Sequence, residues 1–136
     1  MKLLSLLRFV PGNIELYEKA LIHKSTNLTD TQGRAINNER LEYLGDAILG
    51  LVIAEHLFKE YPEQNEGFLT KMRSKIVNGD NLGALAEKMG LIPLIKTQAI
   101  GDHILKHISG DAFEALIGAV YLDKGYARTR KFILKN

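Results

Sequence analysis

Asn37-Asn38-Glu39-Arg40-Leu41-Glu42-Tyr43-Leu44-Gly45-Asp46-Ala47-Ile48-Leu49 threads three carboxylates through an otherwise apolar helical repeat. At about 100° per residue, Glu39, Glu42 and Asp46 fall within an arc of roughly 60°. Leu49 and Ile53 extend the same stripe by one and two turns. The stripe is therefore expected to carry acids where a helix buries carbon. Taking an ionised carboxylate out of water without a partner costs several kcal/mol. A positive charge is expected against this face.

Outward from that stretch, apolar residues recur at helical spacing along nearly the whole chain and no segment sustains strand alternation, which predicts an all-α fold. Pro11-Gly12 ends a short first helix, and Asn13 is expected to cap a second that runs to about Lys24. Residues 25–36 are polar and read as a loop, after which Asn37 or Asn38 caps the acid-bearing helix to about Lys59. Pro62 closes the next turn, Glu66 to Val77 reads as a helix, and Asp80 is expected to cap another that stops at Gly90. Pro93 sits in a connector. The pattern resumes from Asp102 to Lys124, with Gly110 inside it at a cost of roughly 1 kcal/mol against alanine, and a last helix runs from Ala127 to the end.

A chain of 136 residues fits one domain with a core that needs no staples. It has no cysteine, which excludes a disulfide framework and a thiolate metal site and is compatible with a reducing cytoplasm, the expected location. The apolar start, Met1 to Leu7, is cut short by Arg8 and Pro11 with no cleavage site after it, so it reads as a short core helix rather than a signal peptide. No apolar run approaches the roughly 20 residues of a membrane span, so a soluble protein without membrane contact is expected. Net charge is only +2, from 18 Lys plus Arg against 16 Asp plus Glu, and the whole-molecule field says little for nucleic acid. Bases do gather in Lys71, Arg73 and Lys75 and again in Lys124, Arg128, Arg130, Lys131 and Lys135. Solvated helix faces and phosphate contacts fit these groups equally well.

A second acid pair stands in Gly110-Asp111-Ala112-Phe113-Glu114-Ala115-Leu116-Ile117-Gly118, where Asp111 and Glu114 are three apart and share a face. That face continues through Ala115, Gly118, Tyr121 and Leu122, small and apolar residues suited to close packing against another helix. If the two acid helices pack together, at least four carboxylates converge. Each like-charged pair at 4 Å then costs about 4 kcal/mol at an effective dielectric near 20. A divalent cation is the simplest remedy, and an all-carboxylate set suits Mg²⁺ or Mn²⁺ better than zinc. A di-iron bundle uses Glu-x-x-His pairs, and neither acid helix has a histidine three residues after a glutamate. Mg²⁺ held by carboxylates in a half-open site serves phosphate chemistry. The bland alternative, salt bridges to core arginines, suits one acid pair better than two.

The run Asn38 to Leu49 closely resembles the signature of the ribonuclease III family, and Gly110 to Asp123 resembles its second acidic motif. Ala20-Leu21-Ile22-His23-Lys24-Ser25 and the helix Glu66 to Val77 match two further family segments in the correct order. The resemblance covers essentially the whole chain. It implies that residues 1–136 form a single ribonuclease III catalytic (endonuclease) domain: an all-helical fold, dimeric, cutting double-stranded RNA to 5′-phosphate and 3′-hydroxyl ends in RNA processing, including rRNA and mRNA maturation. By motif position, Glu42, Asp46, Asp111 and Glu114 would hold Mg²⁺, with Mn²⁺ as a substitute. Asp46 and Glu114 would be the main catalytic acids and Glu39 an auxiliary at the edge. Tyr43 stands where the family has an aromatic at the interface of the homodimer, with core packing as its plain alternative. His23 reads as a satisfied core histidine.

Two departures carry expectations. Bacterial members usually continue into a double-stranded-RNA-binding domain, whereas this sequence ends at Asn136, so a dimer of this length should bind duplex RNA weakly and lose it steeply with salt. An excised domain and a naturally short relative of the mini-ribonuclease III type fit equally. The stretch between Lys96 and Ser109 is also shorter and less glycine-rich than the family's loop before the second motif. The alternative function is a non-catalytic RNA-binding or scaffold protein that keeps the helical fold. Such a protein would be expected to lose the acids, and all of them are present.

Overall fold

The structure, a computed structural model, describes residues 2–136. Its elements are α1 (Lys2–Leu7), α2 (Ile14–Ala20), α3 (Glu39–Glu60), α4 (Glu66–Val77), α5 (Gly79–Lys88), α6 (Asp102–Lys124) and α7 (Tyr126–Lys135). Two 3₁₀ turns lie at Lys24–Thr26 and Ile92–Leu94. The expected all-α fold is the one observed. Of the apolar start read as a short core helix, Met1 lies outside the described residues, and Leu3 and Leu7, one turn apart, are buried.

α6 is the axis of the molecule. From Ile108 to Val120 every residue is buried except Asp111, which is half-buried. Such all-round burial requires partners on every side, and α2, α3, α5 and α7 supply them. Gly110, a liability within a helix, is used here for packing, because its Cα faces the backbone of Gly83 on α5. A Cβ at Gly110 would stand 3.1 Å from the Gly83 nitrogen. Phe113 packs on Phe132 of α7, ring centroids 6.1 Å apart.

Three boundaries differ from expectation for local reasons. α2 ends at Ala20 rather than Lys24, because the chain instead pairs with the connector before α6. The His23 N–H donates to the Lys96 carbonyl at 2.9 Å, and the Lys96 N–H to that of Leu21 at 2.8 Å. The start of α2 is not capped by Asn13. Asp123, at the far end of α6, accepts from the N–H groups of Gly12 (2.9 Å) and Asn13 (3.0 Å) and from the Tyr17 hydroxyl (2.6 Å). For α5 the cap is Asn78, whose Oδ1 accepts from the Asn81 N–H at 2.8 Å, and Asp80 lies inside the helix.

At the start of α3 the two asparagines divide the work. The Asn37 Oδ1 accepts from the Glu39 N–H at 3.0 Å, while Asn38 is buried and its side-chain amide donates to the Ala20 carbonyl at 3.1 Å. The helix entry, and with it the acids one and two turns on, is thereby tied to the end of α2. α3 buries Leu41, Gly45, Ile48, Leu49, Val52, Ile53 and Leu57. Its outer face is also apolar: Tyr43 is 81% exposed, Leu51 56% and Phe58 71%.

Candidate active site

α3 and α6 touch through glycine. A Cβ on Gly45 would overlap the carbonyl oxygen of Glu114, and one on Gly118 would stand 2.5 Å from the carbonyl oxygen of Leu41. Without side chains at these two positions the helix backbones come into contact, closer than the usual 8–10 Å between helix axes allows for larger residues. Gly45 lies between Glu42 and Asp46, and Gly118 lies one turn after Glu114. The crossing therefore drives the acids of one helix onto those of the other.

Carboxylate oxygens of Glu42, Asp111 and Glu114 lie within 4.8 Å of one another. Asp46 joins them through a hydrogen bond with Glu114. An open cleft of about 300 Å³ gives access, lined by Glu39, Glu42, Tyr43, Asp46 and Glu114. Glu114 is the one buried carboxylate among the described residues, at 8% exposure.

The electrostatics follow from crowding. Burial, then the hydrogen bond to Asp46 and its charge, then the charges of Glu42 and Asp111, push Glu114 up to about 9. Two carboxyl groups share a hydrogen bond only if one keeps its proton, and the raised proton affinity of Glu114 makes it the donor. Glu42 is pushed up to about 7, by burial first and then by Asp111 and Glu39, against the opposing pull of His107 and Lys24. Asp111 is also raised by burial, while His107, His23, a hydrogen bond from Glu42 and Lys24 pull it down. The crowded carboxylates of Glu42, Asp111 and Glu114, with Asp46 beside them, thus favour an added positive charge in the groove. Hard oxygen donors with no sulfur or imidazole among them fit a hard divalent cation.

The structure corrects the expectation drawn from the stripe of acids and the reading of His23. Glu39 and Asp46 are exposed, because they flank the groove between the helices rather than face the core beneath it. Glu39 stands apart from the cluster and its Oε2 lies 3.8 Å from Lys24 Nζ. His23 is not a core histidine. It is half-buried, its Nδ1 accepts from the Ser25 N–H at 3.2 Å and lies 2.8 Å from Ser25 Oγ, and Ser25 Oγ in turn lies 3.1 Å from Thr97 Oγ1. Burial and Lys24 lower its proton affinity, and Asp111 and Glu39 oppose them. Tyr43 is exposed, so plain core packing does not hold for it.

Sequence reasoning missed three contributors. His107 Nε2 lies 3.9 Å from Asp111 Oδ2 one turn away on α6, a contact that the i, i+4 rule would have found. Lys24, left out of the candidate site, pairs with Glu39. Gly45 sets the crossing together with Gly118, which the small-residue face of the second acid helix marks for close packing, and its own role shows only once the helices meet.

Comparison with known proteins bears on the family and the fold. The family described as Ribonuclease-III-like matches residues 13–136. Ribonuclease 3 from Zunongwangia profunda is 50% identical over 128 residues, 94% of this chain and 53% of that protein. Ribonuclease 3 from Borreliella burgdorferi is 41% identical, over 90% of this chain and 51% of that protein. The chain thus spans about half the length of the curated relatives it matches. Among solved structures, the nuclease domain of ribonuclease III from Campylobacter jejuni aligns with a TM-score of 0.85 at 33% identity, covering 98% of this chain and 92% of that one. Dicer from Pichia stipitis aligns at 0.71 and 27% identity, over 93% of this chain and 55% of that one. With a family match across nearly its whole length and a nuclease-domain fold to carry the four acids, the chain belongs to the ribonuclease-III-like family.

Proposed function

We propose that residues 1–136 form the endonuclease domain of a Mg²⁺-dependent, double-strand-specific ribonuclease. It hydrolyses RNA phosphodiesters to 5′-phosphate and 3′-hydroxyl ends in cytoplasmic RNA processing. The convergence of Glu42, Asp46, Asp111 and Glu114 from two helices carries this reading. A bound Mg²⁺ would supply a nucleophilic water near neutral pH and neutralise charge on the phosphoryl group. Glu42, Asp46, Asp111 and Glu114 are its holders, with Mn²⁺ as a substitute. Asp46 and Glu114, hydrogen-bonded to each other and lining the cleft, act closest to the reacting phosphate. Glu114 and Glu42 would hold the cation as carboxylates, without the protons that crowding favours in the metal-free protein. His107 orients Asp111, and Glu39 with Lys24 forms the cleft rim.

The active unit in this reading is a homodimer. Tyr43, Leu51 and Phe58 form an apolar stripe along the outer face of α3, beside the acid cleft, and an exposed patch of this kind supports an interface. The C. jejuni neighbour is described with a region involved in dimer formation. Duplex RNA offers two strands to two such clefts.

The test is cleavage of a long duplex RNA at low salt with Mg²⁺, with EDTA and single-stranded controls. Metal-dependent products from the duplex alone are expected, and Glu114→Gln should abolish them while the helical content stays unchanged. Absence of products in wild type at every Mg²⁺ concentration would favour a non-catalytic scaffold.

A further inference from the structure

A second charged site lies where α1 meets α7. Arg128, Lys131 and Lys135 recur at i, i+3 and i+7 and so share one face of α7, and Arg8 meets them from the end of α1. Together they line an open cavity of about 250 Å³, floored by Leu7, Phe9 and Phe132. Among the described residues, no carboxylate lines it. Nor, among those residues, does any of these four cations make an ion pair with an acid, whereas Arg130, on the adjoining face of α7, is paired with Glu55. The nearby Asp123 is already engaged by two backbone N–H groups and the Tyr17 hydroxyl.

Three details set this cluster apart from an ordinary helix face. Arg8 adopts φ of 61°, a left-handed conformation that costs a non-glycine residue roughly 1 kcal/mol or more. Glycine would close α1 there without strain, so the side chain rather than the backbone accounts for arginine at this turn. All four cations are exposed, and Arg128 is positioned among them by its guanidinium lying 5.2 Å over the Phe9 ring. Lys135 feels the convergence: burial first, then the charges of Arg8 and Lys131, lower its proton affinity. Helix C-termini attract cations, but that attraction places one at each end and does not gather four around a shared cavity.

We propose that this cavity binds a phosphate-bearing anion with at least two phosphate charges, at a site built by α1 and α7 and separate from the acid cleft of α3 and α6. A planar guanidinium held against an aromatic ring offers paired N–H donors to phosphate oxygens, and two lysines beside it on the same helix face add point charges. The apolar floor keeps competing water low on one side.

Calorimetric titration with sodium pyrophosphate tests the site, in EDTA so that no metal is chelated and at near-physiological salt. Saturable one-to-one binding is expected. Lys131→Gln/Lys135→Gln should weaken it about tenfold or more, as loss of two charge-assisted contacts requires. Lys135→Arg should retain it, as should Lys71→Gln/Lys75→Gln, which removes the same charge from α4. Circular dichroism checks that each variant is folded. No saturable binding, equal binding by both double variants, or sulfate binding as tightly as pyrophosphate would overturn the proposal. Competition with duplex RNA assigns the source: displacement supports a site for the phosphates of a strand, and its absence supports one for a free oligophosphate. Since the acids take no part, the titration reads the same whether or not the chain cuts RNA. Glu114→Gln should bind pyrophosphate as wild type does.

Discussion

Replacing Glu114 by glutamine should make the metal-free protein more stable, even though the same change removes the proposed activity. In the unfolded chain the carboxyl titrates at an ordinary 4.5, and in the fold burial and the neighbouring acids push it up to about 9. Below pH 4.5 both states hold the proton. Between pH 4.5 and 9 the unfolded chain releases a proton that the fold retains, so stability falls as pH rises, by about 1.4 kcal/mol per unit at most. At pH 7 that amounts to roughly 3 kcal/mol, and solvent reaching the open side of the cleft reduces it to about 1–3 kcal/mol. A glutamine side chain does not titrate and keeps a hydrogen bond to Asp46. Urea unfolding in EDTA at pH 5 and pH 8 measures the difference. The variant should match wild type near pH 5 and exceed it at pH 8, and saturating Mg²⁺ should reverse the order, since ligand at 100 times its Kd adds about 2.7 kcal/mol to wild type. A stability difference that is the same at both pH values, or a variant less stable at pH 8 without metal, would refute this account of the site.

Other substitutions probe the scaffold. Gly45→Ala should destabilise by more than about 4 kcal/mol or prevent folding, because its Cβ has no room against the Glu114 carbonyl, and chemical denaturation reads this directly. Asp123→Ala should cost about 2 kcal/mol by leaving three donors of the α2 start without their carboxylate, seen as a lower melting temperature. Burial raises that carboxylate, but the hydrogen bonds from Tyr17 and the Gly12 N–H outweigh it and hold the group below its usual range. Its contribution should therefore be present above about pH 4 and lost as pH falls further. Leu51→Glu on the outer face of α3 should shift sedimentation from dimer to monomer while preserving helicity, and an unchanged sedimentation coefficient would exclude that face as the interface.

The helical periods and the acid motifs were readable because they are local. The limits of α4 and α6 followed from residues within a few positions of each boundary, and all four acids of the cluster could be named. What the sequence could not display were agreements between distant segments. Asp123 stands more than a hundred residues along the chain from the α2 start it caps, and no local pattern links it to Gly12. The early end of α2 depends on Lys96, which competes for the backbone of Leu21 and His23. Tyr43 and Leu41 look alike in a hydropathy pattern, yet one is 81% exposed and the other buried, since α3 is apolar on both faces. The exposure of Glu39 and Asp46 likewise depends on where α6 crosses, which only the fold determines.

The glycine crossing also fixes when this site can exist. Gly45 and Gly118 stand about seventy residues apart, so closing that loop carries an entropic cost that only the assembled core offsets. A chain emerging from the ribosome exposes Glu42 and Asp46 long before Asp111 and Glu114 have been made, and two acids on an isolated helix hold a divalent cation poorly. On the proposed reading, ion uptake would wait until α6 has emerged and packed against α3. The nuclease proposed here would be inert through the early part of its own synthesis, while tethered to the RNA-rich machine that makes it.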